Sequence, residues 1–221
     1  MPQAKLPTLS RQTFDLIFSY AYTGLAVNLC LGAANLPLLA GIALVPDPAA
    51  AWPFFVLVSV TIAPSIVGAF AAFDAANAGE TTPFRDFWRA WRGGLKRSAV
   101  VGCTLVALEL AIGFDLMIVA GSPIGALLTP IVIVVLLLAL ATSTLVLAAI
   151  SNTDASLARQ VRASVFLVIR CWPLSLLTLA ALGGTVALVL AQPLLGMLLG
   201  VSPLLFIAFS NCRVALARLP S

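Results

Sequence analysis

The chain reads as an all-α polytopic membrane bundle of about six transmembrane helices with two cytoplasmic interfacial basic helices, and three features lead to that expectation. Of its 221 residues, 62% are hydrophobic and only 9% charged, with a mean hydropathy of +1.12, a balance unlike that of a soluble domain. Several apolar runs reach the roughly 20 residues a helix needs to cross a hydrocarbon core of about 30 Å. Six spans would also place all 12 lysines and arginines on one side of the membrane. They are Lys5 and Arg11, then Arg85, Arg89, Arg92, Lys96 and Arg97, then Arg159, Arg162 and Arg170, and finally Arg213 and Arg218. Such a split orients the chain by the positive-inside bias, with both termini cytoplasmic, in one integral membrane domain over residues 1–221. The same bias accounts for the net charge of +4 without a nucleic-acid partner.

Residues 1–15 read as a cytoplasmic tail that feeds an aromatic belt of Phe14, Phe18, Tyr20 and Tyr22. A first span of about 16–45 follows, bent near Pro37. A cleavable signal peptide is the rival, with Gly32-Ala33-Ala34 as its small residues. Asp15 and the length of the apolar run argue against it. The linker Pro46-Asp47-Pro48 carries no positive charge, and a second span of about 52–76 contains Pro64.

Residues 82–97 hold the densest charge in the chain. Phe84, Phe87, Trp88, Trp91 and Leu95 recur at helical spacing on one stripe, and Arg85, Asp86, Arg89, Arg92 and Lys96 fill the rest of the circumference. Thr82-Pro83 is a candidate helix start, and Gly93-Gly94 weakens the far end. The expectation is a short helix lying in the interface, its rings in the headgroup layer. Phe84, Arg85, Trp88, Arg89, Trp91 and Arg92, with Arg159 and Arg162 further on, are the candidate residues for docking lipid or a partner. An arginine near an anionic leaflet is worth about 1 kcal/mol, although setting the topology alone would call for the same residues.

A third span of about 98–120 leads through Gly121-Ser122-Pro123 to a fourth of about 124–150. Ser151 to Asp154 form a turn, with Asn152 or Thr153 as N-cap for a second basic helix over 155–170. Its Arg159, Arg162 and Arg170 fall within an arc of about 80°. A fifth span of about 172–191, a break at Gln192-Pro193 and a short sixth span of about 194–210 containing Pro203 complete the chain. Each half has a basic helix before a span (RAWRGGLKRS and RASVFLVIRCW), an echo that shared membrane physics produces without an internal repeat.

Asn28 in its Val-Asn-Leu run, Pro64-Ser-Ile-Val-Gly-Ala-Phe, Phe84-x-x-Phe87 with Trp91-Arg92, the Ser98 onset and Asp115 together resemble the YesL family of small bacterial integral membrane proteins, a domain of unknown function. The likeness covers roughly residues 14–120, and the remainder only by span layout. The stretch between Asn28 and Pro64 is longer than in the shorter members of that family. The resemblance implies five or six spans, no catalytic residues and an accessory role beside sugar-uptake transporters in the bacterial cell membrane.

Glu109 would lie about 16 Å along a helix counted from Ser98, near mid-bilayer. An intramembrane carboxylate is costly, so it is a functional candidate by default. It is either a protonatable solute site or a neutral acid bonded to Thr142, Ser143, Thr144, Thr178, Thr185 or Asn28. Asp115, rotated by about 240° from it, and Asn28, on one face with Asn35, are the other intramembrane polar candidates. Gly196-x-x-x-Gly200 suits close packing within the bundle, or a homo-oligomer seam. Gly68, Ala72 and Ala76 form a second small-residue stripe.

Cys30, Cys103, Cys171 and Cys212 form no C-x-x-C pair and histidine is absent, so no metal site, cofactor or disulfide is expected. No phosphate-binding glycine loop and no nucleophile elbow occurs, which points away from an enzyme. Two readings remain: a non-enzymatic accessory or regulatory subunit of an ABC-type carbohydrate-uptake system, and a small solute permease working through Glu109.

Overall fold

The computed structural model describes residues 11–47, 50–80, 82–122, 124–152, 156–192 and 196–218, omitting the side chains of 11–17, 152, 198 and 199. Among these the chain is helical throughout. Lys5, Pro48, Pro123, Thr153, Asp154 and Pro193 lie outside the described residues. Four helices are long and apolar enough to cross a membrane, or five if one bent pair counts as a single span.

That bent pair is α1 (Arg11–Ala34) and α2 (Leu36–Leu44), whose axes turn by 70° at Asn35. The stretch expected as one span over 16–45 is therefore broken. Pro37 sits in the first turn of α2 and cannot donate to the Ala33 carbonyl, so the ladder is interrupted there. A second break faces the first. α3 (Trp52–Ser59) gives way to α4 (Ile62–Asn77) at Val60-Thr61, where Pro64 leaves the Val60 carbonyl without its helical donor. The two breaks are joined: Thr61 Oγ1 donates to Asn35 Oδ1 at 2.9 Å, while Asn35 Nδ2 donates to the Leu31 carbonyl at 2.9 Å. Polar side chains thus satisfy one another where the backbone pattern lapses.

The expected boundary at Ser98 is absent. α5 is one helix, Pro83–Ala120, of 38 residues, about 57 Å long at 1.5 Å per residue. The first basic helix is its N-terminal part and not a separate element. Gly93 and Gly94 each cost about 1 kcal/mol relative to alanine, but packing on both sides of them holds the helix straight through. Upstream, Phe87 is 0% exposed, and its ring is what a Cβ at Gly68 of α4 would meet, at 3.2 Å. Downstream, Ser98 is fully buried and returns a hydrogen bond to the Gly94 carbonyl at 2.7 Å.

The aromatic stripe also points elsewhere than expected. Phe87 is sealed in the bundle, and Trp88 and Trp91 pack against the main core. Phe84, at 40% exposure, is the ring of that stripe left well open. Helical spacing marks one apolar face, but a face turned to lipid and a face turned to other helices carry the same pattern.

α6 (Gly125–Asn152) runs back along α5, with Pro130 inside its first turns. α7 (Leu157–Arg170) starts at Ser156, two residues later than expected and with a different residue at the cap. α8 (Trp172–Ala191) follows directly after Cys171. A π-helical turn, Gly196–Gly200, then enters α9 (Val201–Leu216). Pro203 offers no N–H to the carbonyl of residue 199, which accounts for the wide turn at that point.

The core joins α1, α4, the start of α5, α6, α7 and α9. Val27, Phe70, Phe87, Leu145, Leu167 and Phe209 are among its buried side chains. Phe70 and Phe73 of α4 meet Phe209 of α9 with ring centroids 5.5 and 5.8 Å apart. One end of the bundle is tied by polar contacts. Tyr20 Oη donates to Asn77 Oδ1 at 3.0 Å, Arg213 pairs with Asp74 at 3.2 Å, and Arg97 Nη2 reaches Gln160 Oε1 at 3.4 Å. The outer part of the α5–α6 hairpin is different. Phe114, Met117, Ile118, Leu127 and Ile131 are all exposed there.

Candidate functional site

Glu109 lies on α5 opposite α6, half-buried, with Ser143 Oγ donating to its Oε1 at 2.6 Å. The same hydroxyl is 2.9 Å from the Ala139 carbonyl of its own helix. Of the hydroxyls and amides expected as possible partners, it is Ser143 that bonds to Glu109, because it lies on the α6 face that α5 covers. None of the three cavities described below reaches Glu109. The arrangement closes the hairpin with a polar clasp between α5 and α6. Asp115, exposed further along α5, makes no hydrogen bond or ion pair among the described residues, and the structure does not bring it to Glu109.

Asn28 is elsewhere in the fold. It is buried on α1, and its Oδ1 accepts from the Ser202 backbone N–H at 2.7 Å. That N–H belongs to the first turn of α9, where the π-helical turn and Pro203 disturb the helical ladder. A half-open cavity of about 390 Å³ lies beside this contact, between α1, α4 and α9. Tyr20, Phe73 and Phe206 form aromatic walls, and Thr23, Asn28 and Ser202 supply polar atoms. Tyr20 and Phe206 meet edge to face at 5.8 Å. Gly24 admits the close approach of α9, since a Cβ there would stand 3.3 Å from Ser202 Oγ. Sequence reasoning singled out Asn28 and read Tyr20 as part of an aromatic belt, although Tyr20, Gly24 and Asn28 share one face of α1 at i, i+4 and i+8. It missed Thr23 and Ser202, the latter linked to Asn28 by no local pattern.

The third arrangement is basic. Phe84, Arg85, Trp88, Arg89 and Arg92 line an open hollow of about 410 Å³ on the N-terminal part of α5. The three arginines follow i, i+4 and i+7 spacing, which sets them on one helix face. Asp86 is 7% exposed, accepts from Thr82 Oγ1 at 2.9 Å and pairs with Arg89 at 3.4 Å. Among the described residues Arg85 and Arg92 make no ion pair or hydrogen bond, and both are exposed. Trp91, grouped with these residues by the sequence, turns inward instead, and its Nε1 is buried without a partner.

Arg159 and Arg162 are exposed on α7 and do not line that hollow. α7 buries Gln160, Ser164, Leu167 and Val168 and exposes Val165, Phe166 and Ile169. Gln160 ties this helix inward, reaching Arg97 of α5 and the Ala149 carbonyl of α6. Nearby, Asn211 Nδ2 is buried without a partner, beside a cavity of about 10 Å³ bordered by Ser175 and Thr178. That is close to the space one water molecule occupies.

Gly196 and Gly200 face their own chain. A Cβ on Gly196 would meet the Leu188 carbonyl, and one on Gly200 would collide with the Leu188 side chain. They permit close packing of the last helical stretch on α8. The four cysteines are free thiols, Cys103 exposed and the others buried. Among the described residues no cluster of three metal-ligating side chains occurs.

Compared with known proteins, the chain matches no family model, no curated protein and no solved structure. The YesL-like resemblance therefore rests on the residues quoted for it. The helices themselves, several long and apolar enough to span a bilayer, are those of a multi-pass membrane protein.

Proposed function

We propose that this protein is a non-enzymatic accessory or regulatory subunit of a membrane transport assembly, set in the cytoplasmic membrane by about six spans with both termini cytoplasmic. The observation that carries this reading is the bare outer half of the α5–α6 hairpin. Phe114, Met117, Ile118, Leu127 and Ile131 are exposed there, and Glu109 is clasped by Ser143 with no described cavity leading to it. A permease needs a polar route to its coupling group, and a two-helix arm with open faces suits contact with another membrane helix better. The YesL-like resemblance supports a carbohydrate-uptake transporter as the assembly. The permease reading gains nothing from the Asn28 cavity, which is on the other side of the core and includes neither carboxylate.

Affinity purification from native membranes followed by mass spectrometry tests the proposal. A stoichiometric transporter subunit in the eluate supports it. Protein that purifies alone and moves solute into liposomes, with Glu109→Gln abolishing that flux, refutes it in favour of the permease.

A further inference from the structure

We infer that the hollow formed by Arg85, Arg89 and Arg92 is a binding site for the phosphate group of an anionic phospholipid, a site independent of the accessory role proposed above. The first support is charge. Three guanidinium groups line one hollow with Phe84 and Trp88, and no acidic side chain is among its lining residues. Asp86 stands behind it and offsets Arg89, through the 3.4 Å pair, but Arg85 and Arg92 have no counter-ion among the described residues. Two uncompensated arginines one face apart by i, i+7 suit an anion with several acceptor oxygens, since guanidinium binds phosphate in a fork.

The second support is what borders the hollow. Phe84 meets Tyr22 of α1 edge to face at 6.5 Å, and Tyr22, Leu25 and Leu29 are exposed along the same helix. A charged seat therefore passes directly into an apolar face that rises along α1. A free phosphate ion or an acidic peptide would use the arginines alone. A phospholipid uses both parts, with its phosphate in the hollow and its chains along α1. The hollow also lies 5 to 12 residues before Arg97, whose contact with Gln160 marks the level at which α6 ends. This is the side of the bundle where a headgroup layer would meet α5.

Tryptophan quenching by brominated lipids tests the site. The variant Trp52→Phe/Trp172→Phe leaves Trp88 and Trp91 as the reporters and touches two exposed rings. It would be reconstituted in phosphatidylcholine vesicles containing either brominated phosphatidylglycerol or brominated phosphatidylcholine as the quencher. The expected result is stronger quenching by the brominated anionic lipid at equal mole fraction. Arg85→Gln and Arg92→Gln should each lower that preference about fivefold. Arg159→Gln/Arg162→Gln, which removes twice the charge of either single variant but from α7, should leave it unchanged. Equal quenching by the two lipids overturns the inference. So does an equal loss in the α7 variant, which would mean general surface attraction. Full suppression by millimolar inorganic phosphate at constant ionic strength would assign the hollow to a soluble anion and overturn it as well.

Discussion

The α1–α4–α9 junction and the outer α5–α6 hairpin are both built from apolar sequence, yet only one of them is a core. In the junction, small residues let rings approach. Gly24 receives Ser202, Phe70, Phe73, Phe206 and Phe209 interlock between α4 and α9, and beside the junction Gly68 of α4 receives Phe87 from the start of α5. In the hairpin, large apolar side chains are left exposed, and among the described residues the polar side-chain contact between its two helices is Glu109 with Ser143. In a membrane protein, then, apolarity alone does not define the interior. Lipid is as apolar as leucine, so shape and paired polar atoms decide which faces close.

The largest test of this contrast is at Phe87. The residue is 0% exposed, and its truncation empties the space over Gly68 that holds α5 on α4. Phe87→Ala should destabilise the protein by about 3 kcal/mol, read as a shift in an equilibrium unfolding titration in mixed micelles. Gly68→Leu/Phe87→Ala should not recover that loss, because a Cβ at Gly68 also meets the Phe87 carbonyl oxygen, at 3.2 Å, which truncating the ring leaves in place. A Phe87→Ala variant as stable as the wild type would mean that the α4–α5 packing beside the junction is not what holds the bundle.

The coarse fold was legible because bilayer physics writes it plainly into the residues. Apolar length gives the helices, and the bend expected near Pro37 follows from a missing N–H, whereas the sequence alone sets Pro64 and Pro203 inside unbroken spans. What was not legible depended on the third dimension. Gly93-Gly94 looks like a stop, yet Phe87 and Ser98 are clamped on either side of it, so α5 continues. The Phe84–Trp91 stripe looks lipid-facing because spacing records only that a face is apolar and not what covers it. At the sites, Glu109 stood out as the carboxylate expected nearest mid-bilayer, but its partner was one of several hydroxyls and amides until α6 was placed. Ser202 comes to the Asn28 cavity from a sequence position that no periodicity connects to it.

A medium effect is expected at the clasp. Intramembrane side-chain hydrogen bonds contribute about 0.6 kcal/mol on average and rarely more than about 1.7. Glu109→Gln keeps an oxygen facing Ser143 Oγ and should shift the same titration little. Glu109→Leu leaves that hydroxyl to the Ala139 carbonyl alone and should cost about 1 kcal/mol. A much larger loss in both variants would show that Glu109 holds more of the structure than the 2.6 Å contact accounts for. That result would make the hairpin a second core.

The smallest effect on stability, and the sharpest discrimination, belongs to the hairpin surface. Met117 is 76% exposed, and Met117→Ala should change stability by less than about 0.5 kcal/mol, since lipid tails fill the space its side chain vacates. If the bare face is an interface, the same substitution, or Met117→Ala with Leu127→Ala, should lower the yield of a co-purified membrane partner while the purified protein unfolds as before. The corresponding change on another exposed helix, Leu190→Ala of α8, should leave both quantities alone. Equal recovery of a partner from all three variants would assign these open side chains to lipid contact, and the difference between junction and hairpin would then be one of packing without a docking role.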